Sequence, residues 1–100
     1  MDEIKADYDR LEQLAGRFAN QAQVIQQMLQ GVRGSMDPLE SGGWVGRGSD
    51  AFFSEMNSEV LPASERLQQA LEEANRVTKH IIQTVKQAEE EAGSAFKARL

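Results

Sequence analysis

The side chains in this chain that could do chemistry are few, and they lie far apart. His80 is the single histidine, and the chain has no cysteine. Zinc sites use several His or Cys ligands, so His80 is interpreted as a surface residue or one at the edge of an apolar stripe. Glu89, Glu90 and Glu91 occupy consecutive positions that point in three directions on a helix, which indicates a solvated run and not a chelating cluster. We therefore expect no enzyme, with no catalytic residue, no metal and no cofactor.

The glycine-rich break Gly42–Gly48 is the other segment whose composition suggests chemistry. It contains four glycines around Trp44, the only tryptophan. Its composition is similar to that of a phosphate-binding loop, but the Gly-Lys-Ser/Thr ending is absent and no predicted strand precedes it. The segment instead predicts a tight reversal of the chain in which backbone and ring approach a neighbour closely.

The segment before this break predicts one long helix, over about residues 3–40. Its apolar residues follow steps of four and three, which is the pattern of a helix packed along another helix. We expect fraying or a bend at Gly31 and Gly34, and a last kink or the end of the helix at Pro38. The stripe consists of Ile4, Tyr8, Leu11, Ala15, Phe18, Ala22, Ile25, Leu29, Val32, Met36 and Leu39.

The segment after the turn, which is placed at about residues 41–48, predicts a second helix over about 49–92 and a tail over 93–100. Ser49 is the expected N-cap. Pro62 predicts a kink or a restart of the helix with Ser58 or a neighbour as cap, and Gly93-Ser94 predicts the stop. The stripe consists of Phe53, Met56, Val60, Ala63, Leu67, Ala70, Ala74, Val77 and Ile81, broadened by Phe52, Leu71, Ile82 and Val85.

Two such arms, each about 57 Å long, predict an all-α fold: a single domain formed by an antiparallel two-helix hairpin. A lone pair of helices buries one side of each apolar stripe and leaves more apolar surface than monomers usually expose. We therefore expect a dimer that forms a four-helix bundle, most simply a homodimer, with a related hairpin as the other option. The expected packing and dimer core is Leu11, Phe18, Ile25, Leu67, Val77 and Ile81.

Composition and charge exclude several classes of partner and location. The net charge is −5 with a pI near 4.8, which disfavours nucleic acid and anionic membranes because both attract basic surfaces. No apolar run approaches the roughly 20 residues of a membrane-spanning helix, so we expect no membrane insertion. The acidic start of the chain lacks the basic region and apolar core of a secretory signal peptide.

The aromatic residues allow both a structural and a functional interpretation. Phe18, Phe52 and Phe53 are expected in the core, and Tyr8 is expected to pack its ring while its hydroxyl reaches the edge of the bundle. For Trp44 two interpretations stay open and are compatible. The indole caps the open end of the two-helix core, or it is a docking surface for another protein.

A Trp-Xaa-Gly tripeptide in the turn of a helical hairpin of about a hundred residues resembles the WXG100 family of bacterial type VII (ESX) secretion. The resemblance covers the whole chain, including Trp44-Val45-Gly46, the acidic charge and the lack of cysteine. It implies a homodimer or heterodimer of hairpins, made in the bacterial cytoplasm and exported folded by a membrane ATPase without a signal peptide.

The resemblance also implies that Trp44 and Gly46 are one element of an export-recognition surface. In the family the other element is a C-terminal Tyr-x-x-x-Asp/Glu signal on the partner hairpin. In this chain no tyrosine follows the second arm; Tyr8 and Glu12 fit the pattern near the opposite end, and Phe96 is followed four positions later by Leu100.

Two functions remain as hypotheses from the sequence. The first is a type VII secretion substrate or export partner that works as a helical dimer. The alternative is an intracellular adaptor or chaperone that covers the helical region of a larger secreted effector, which the missing C-terminal tyrosine favours.

Overall fold

The computed structural model describes residues 2–98, with side chains from residue 7 onward. The side chain of Ile4, the first residue of the predicted stripe, lies outside the described part, as do the last two residues of the predicted tail. The described chain consists of helices and turns: α1 (Asp2–Pro38), a π-helical turn (Leu39–Gly43), α2 (Arg47–Glu55), a second π-helical turn (Met56–Val60) and α3 (Leu61–Ala98). The prediction of an all-α helical hairpin is confirmed.

Helix α1 runs without interruption from Asp2 to Pro38. It continues through Gly31 and Gly34. One glycine costs a helix about 1 kcal/mol, and packing of the regular apolar stripe on either side offsets that cost. Pro38 is the last residue of α1.

The reversal after α1 depends on glycine at two adjacent positions. The Trp44 N–H donates to the Leu39 carbonyl at 3.0 Å, which closes a wide final turn. Gly42 has φ of 130°, a conformation that residues with a Cβ rarely adopt. A Cβ at Gly43 would lie 2.9 Å from the Pro38 carbonyl oxygen, so this position has no room for a side chain.

Helix α2 begins at Arg47 with Gly46 as its N-cap. The predicted N-cap, Ser49, is therefore wrong by three residues. Ser49 lies in the first turn of α2, buried, and its Oγ donates back to the Gly46 carbonyl at 2.7 Å. Gly46 takes the cap position because its backbone conformation, described below, is open only to glycine.

The second arm contains a π-helical turn, Met56–Val60, just before Pro62. A proline ring presses on the carbonyl four residues earlier, here that of Ser58, and a widened turn at that point relieves the contact. The predicted cap at Ser58 is wrong, because its Oγ donates to the Ser54 carbonyl at 2.6 Å within the continuing helix.

The predicted stop at Gly93-Ser94 is also wrong, since α3 continues to Ala98. Good helix formers surround this glycine, and Lys97 in the last turn interacts favourably with the helix dipole.

The arms pack along their whole length into a rod with extents of 80 × 19 × 16 Å. Two exposed ion pairs mark the register of the arms: Arg33 contacts Glu65, and Lys86 Nζ lies 3.4 Å from Glu12 Oε1. Both pairs lie on one side of the hairpin, which we call the polar side and define by these four residues.

The buried core is a narrow line between the arms. On α1 it follows a seven-residue spacing, and the second arm contributes three residues from its inward face. Asn75 lies half-buried in the same seam, where its Nδ2 donates to the Ala15 carbonyl of α1 at 2.6 Å. The buried apolar residues are Ala15, Ala22, Leu29, Met36, Phe53, Leu61 and Ile82.

Candidate functional site

Three aromatic rings form a cluster at the tip of the hairpin. The ring centroid of Trp44 lies 5.6 Å from that of Phe52 and 5.7 Å from that of Phe53, and the two phenylalanines are 5.4 Å apart. All three pairs are tilted or edge-to-face, which is the favourable geometry for aromatic rings. Phe53 is only 7 % exposed, so the cluster is anchored in the core of the hairpin.

Gly46 is required by the backbone that presents this cluster. Its φ of 140° and ψ of −176° lie in a region that is essentially restricted to glycine. This conformation points the Gly46 carbonyl toward the first turn of α2, where the carbonyl oxygen accepts a hydrogen bond from the Asp50 N–H at 3.0 Å. Trp44, two residues earlier, is extended, and the reversal folds its ring back onto the first turns of α2.

At the tip, part of the Trp44-Val45-Gly46 motif is open to solvent. Trp44 is 43 % exposed and Val45 is 83 % exposed. Beside the indole lies an open groove of about 630 Å³, bordered by Glu40 and Asp50. The indole therefore covers the end of the core with one face and presents the rest to solvent, so both interpretations of Trp44 are compatible with the geometry.

Most of the net charge lies around this tip. Between residues 37 and 60 there are five acidic residues and one basic residue, whereas the net charge of the whole chain is −5. The tip is therefore an acidic surface around an exposed indole, and a basic partner surface would complement it. The five acids are Asp37, Glu40, Asp50, Glu55 and Glu59.

The opposite, open end of the hairpin is joined by a polar cluster around Tyr8. The Tyr8 hydroxyl donates to Glu89 Oε2 at 2.6 Å, and Lys86 Nζ lies 5.1 Å from the Tyr8 ring centroid. The hydrogen bond to Glu89, with desolvation and the carboxylate charge as further causes, raises the pKa of Tyr8 to about 12. Tyr8 thus reaches the bundle edge and ties the start of α1 to the end of α3.

The six residues predicted as packing and dimer core divide into two groups within one hairpin. Leu11, Phe18 and Ile25 are half-buried along the edge of the α1–α3 seam. The second group lies on the outer face of α3 and remains about half exposed: Leu67 at 52 %, Val77 at 46 % and Ile81 at 50 %. The hairpin alone does not bring the six together, and their packing in a dimer stays a prediction.

The inward face of the second arm was predicted only in part, because Phe53 and Ile82 belonged to the predicted stripe or its margin and Leu61 to neither. Leu61 and Ile82 are buried there, and the seam between them includes the polar Gln68 and Asn75 at seven-residue spacing. The only sequence signal for this face is that Leu61 and Ile82 are separated by three whole heptads, which is weak beside the continuous stripe on the outer face.

Most of the large apolar residues that are exposed or half-buried on the two arms lie on one side of the rod. On α1, Met28 precedes the buried Leu29 by one residue, and on α3, Leu67 precedes the seam residue Gln68 by one. Each is turned about 100° from the seam, away from the ion pairs of the polar side. We call this surface the apolar side. It consists of Phe18, Ile25, Met28 and Val32 on α1, Leu39 in the first π-helical turn, and Val60, Leu67, Leu71, Ile81 and Val85 in the second arm.

Among the side chains that the structure describes, those of residues 7–98, there is no group of three or more His, Cys, Asp or Glu arranged to hold a metal ion. Over the same described range, no helix combines the length and the hydropathy needed to cross a membrane.

Comparison with known families gives one match. The family model WXG100, described as proteins of 100 residues with WXG, matches residues 3–90. No curated protein and no solved structure matches the chain.

Proposed function

The chain belongs to the WXG100 family, whose small helical proteins are associated with type VII secretion, and from this premise we propose that it is a substrate or export partner of such a system. In this proposal it acts through protein–protein packing as a dimer, and it is not an enzyme. It is made in the bacterial cytoplasm and leaves the cell without a signal peptide, through a membrane ATPase.

The observation that carries the proposal is the way in which the tip presents Trp44. The ring rests on Phe52 and Phe53, and Gly46 holds the turn in a conformation restricted to glycine. A half-exposed indole on a rigid support loses little conformational entropy when a partner covers it. Tryptophan in such a setting is typical of the residues that dominate binding energy at protein interfaces.

The apolar side supports the dimer. In the single hairpin Met28 on α1 and Leu67, Ile81 and Val85 on α3 remain exposed, and the apolar residues beside Met28 on α1 are only half-buried. Soluble monomers rarely expose apolar patches larger than a few hundred Å². A second hairpin laid on this side would bury both rows and complete a four-helix bundle.

Export of a Trp44→Ala variant tests the recognition role. We expect this variant to be lost from the culture medium of the native host, while the purified protein keeps its helical circular dichroism spectrum. Val24→Ala is the matched control, since Val24 is an exposed apolar residue of α1 remote from the tip. Undiminished export of Trp44→Ala would contradict the proposal.

A second candidate is an intracellular adaptor or chaperone that covers the helical region of a larger secreted effector. The absence of a tyrosine after residue 8 favours it, because the family's C-terminal signal contains one. Detection of the protein only in the cytosol, while the secretion system exports other substrates, would support this candidate over export of the chain itself.

A further inference from the structure

Resting on the recognition role proposed for Trp44, we infer that the groove beside its indole binds the guanidinium of an arginine from the partner that recognises the tip. The proposed function gives the indole as the point of contact. This inference gives the chemistry of what contacts it, a basic segment that presents arginine. Three features of the groove, described in turn after its construction, favour this occupant.

The groove is built where the two π-helical turns of the chain come together. Glu40 belongs to the first turn, Leu39–Gly43, and Asn57 to the second, Met56–Val60. The Asn57 Nδ2 donates to Glu40 Oε1 at 3.0 Å, so a hydrogen bond joins the two turns at the border of the groove. Widened turns of this kind are frequent at functional sites. Together with Trp44 they border an open volume of about 630 Å³.

The first feature is the indole at the wall of this groove. Trp44 is 43 % exposed, and its inner side rests on Phe52 and Phe53. Tryptophan is the best aromatic partner for a cation, and arginine is the cation most often found over such a ring, because its planar guanidinium also stacks on it. The two phenylalanines support the indole, so a guanidinium can stack on its open part without rearrangement of the tip.

The second feature is negative charge that the chain itself leaves unneutralised. Glu40 and Asp50 both border the groove, and both are exposed. The ion pairs within residues 7–98 involve other acids, all outside the tip. Arg47 is the only basic residue between positions 37 and 60, and it does not line the groove. The two carboxylates are therefore open to a cation from another protein.

The third feature is an excess of hydrogen-bond acceptors over free donors. The Ser49 Oγ donates to the Gly46 carbonyl at 2.7 Å. The Ser58 Oγ donates to the Ser54 carbonyl at 2.6 Å. Because these hydroxyl protons are engaged within the chain, the groove offers mainly oxygen acceptors. Arginine carries five N–H donors and no acceptor, so it complements the groove, whereas an acidic or amide side chain would bring further acceptors.

Lysine matches these features less well than arginine. Its ammonium is a compact and strongly hydrated charge, so it does not stack flat on an indole. It also lacks the fork of parallel N–H groups that binds a carboxylate with two hydrogen bonds. We therefore expect the groove to distinguish between the two cations.

Fluorescence of the full chain tests the inference, because Trp44 is the only tryptophan. The probe is tetra-arginine amide, titrated into the protein at low salt and at one fixed protein concentration. Tetra-lysine amide, which carries the same charge, is the comparison. We expect a saturable change in Trp44 emission with the arginine peptide, and binding of the lysine peptide that is weaker by about fivefold.

Two double variants of equal net charge separate the groove from the general attraction of an acidic protein. Glu40→Gln/Asp50→Asn removes both carboxylates of the groove, keeps an oxygen for Asn57, and should weaken binding of the arginine peptide about tenfold. Glu55→Gln/Glu59→Gln is the matched control, since it removes two exposed acids of the same tip that do not line the groove. It should weaken binding by less than about threefold. Circular dichroism checks that both variants keep their helices.

Three results of these titrations would overturn the inference. Equal weakening by the two double variants would show that net charge alone attracts the peptide. Equal binding of the two peptides would show that no guanidinium is selected. Unchanged emission of Trp44 at saturating arginine peptide would show that nothing binds beside the indole.

Export from the native host separates this inference from the proposed function. Glu40→Gln/Asp50→Asn should reduce export, whereas Glu55→Gln/Glu59→Gln should not. Loss of export with Trp44→Ala but not with Glu40→Gln/Asp50→Asn would overturn the arginine partner and leave the recognition role standing. Undiminished export of Trp44→Ala would overturn the recognition role and the arginine partner with it.

Discussion

Gly46 shows at the scale of one residue why the turn motif contains glycine. The residue combines φ of 140° with ψ of −176° and supplies the carbonyl on which α2 begins. Space is not the reason, because a Cβ at this position would meet no atom within 4 Å. The requirement is one of backbone conformation, and it applies to any side chain whatever its size.

Replacement of Gly46 by alanine should therefore destabilise the protein by about 1–3 kcal/mol, the usual cost of a strained backbone conformation. Gly31→Ala is the matched control: Gly31 lies inside α1 with open space around it, so alanine should stabilise by up to about 1 kcal/mol. Urea unfolding at one fixed protein concentration measures both. A Gly46→Ala variant as stable as the natural chain would show that the turn adopts another conformation.

Tyr8 offers a second test at the residue scale, because it is the only tyrosine and its ionisation can be followed by absorbance. Its pKa is raised to about 12 by the hydrogen bond to Glu89, from a usual value of about 10. Between these two values the unfolded chain loses the proton and the folded chain keeps it. The stability that the hydrogen bond contributes is thus present below about pH 10 and is lost as the pH rises toward 12.

A Glu89→Gln variant should lower the titration midpoint of Tyr8 back toward 10, because the charged acceptor is removed. Glu90→Gln is the control, since Glu90 is the next residue and not the acceptor of the bond. Identical titrations of the natural chain and Glu89→Gln would mean that Tyr8 and Glu89 are not in contact in solution.

At the scale of the elements, the sequence predicted both arms, the reversal at the glycine-rich break and the stripe of α1. It did not predict which face of the second arm meets α1. Heptad spacing shows that a helix has an apolar face but not which neighbour covers it. In α3 the continuous stripe through Leu67 and Ile81 faces away from α1, and the seam holds the interrupted line of Leu61, Gln68 and Asn75.

The missed boundaries of the second arm have local causes. The sequence suggested Ser49 as the cap because serine is a common N-cap, but the conformation of Gly46 starts the helix three residues earlier. Pro62 suggested a kink or a restart of the helix, and the structure has the π-helical turn Met56–Val60 there, with α3 beginning at Leu61. Neither the cap nor the widened turn can be derived from residue preferences alone, since both depend on the path of the chain around the tip.

Asn75 is the polar residue through which α3 contacts the backbone of α1. Loss of its hydrogen bond to the Ala15 carbonyl should cost about 1 kcal/mol in Asn75→Ala. Asn20→Ala, at an exposed position of α1, should change stability by less than about 0.5 kcal/mol. Urea unfolding of the two variants compares them directly, and equal effects would show that the contact contributes nothing.

At the scale of the whole molecule, the hairpin has a small core for its size. Its buried line is one or two residues wide, and two of its members on α1, Ala15 and Ala22, are alanines. Large side chains such as Leu67 and Ile81 lie outside it. The proposed dimer supplies the burial that a single hairpin lacks, and it should sediment at about 22 kDa, twice the chain mass of 11.1 kDa.

Two leucine variants should separate folding from association. Leu29 is buried between the arms, so Leu29→Ala should lower the free energy of unfolding by about 2–5 kcal/mol. Leu67 lies on the outer face of α3, so Leu67→Ala should leave the helical signal unchanged and raise the dissociation constant of the dimer about tenfold, by loss of apolar burial. Sedimentation at several concentrations measures the second effect, and an unchanged dissociation constant would remove Leu67 from the interface.

The shape of the rod sets a size limit on any opening through which the folded protein could pass. The hairpin is 80 Å long but only 19 × 16 Å in cross-section, so its length does not limit passage when it enters end-on. An opening about 25 Å wide would admit one hairpin with its side chains, and a second hairpin on the apolar side would add about 10 Å in one direction, the width of one helix layer. A folded dimer therefore needs an opening about 10 Å wider in one direction than a folded monomer does, so a secretion system that exports the pair must open wider than one that exports single hairpins.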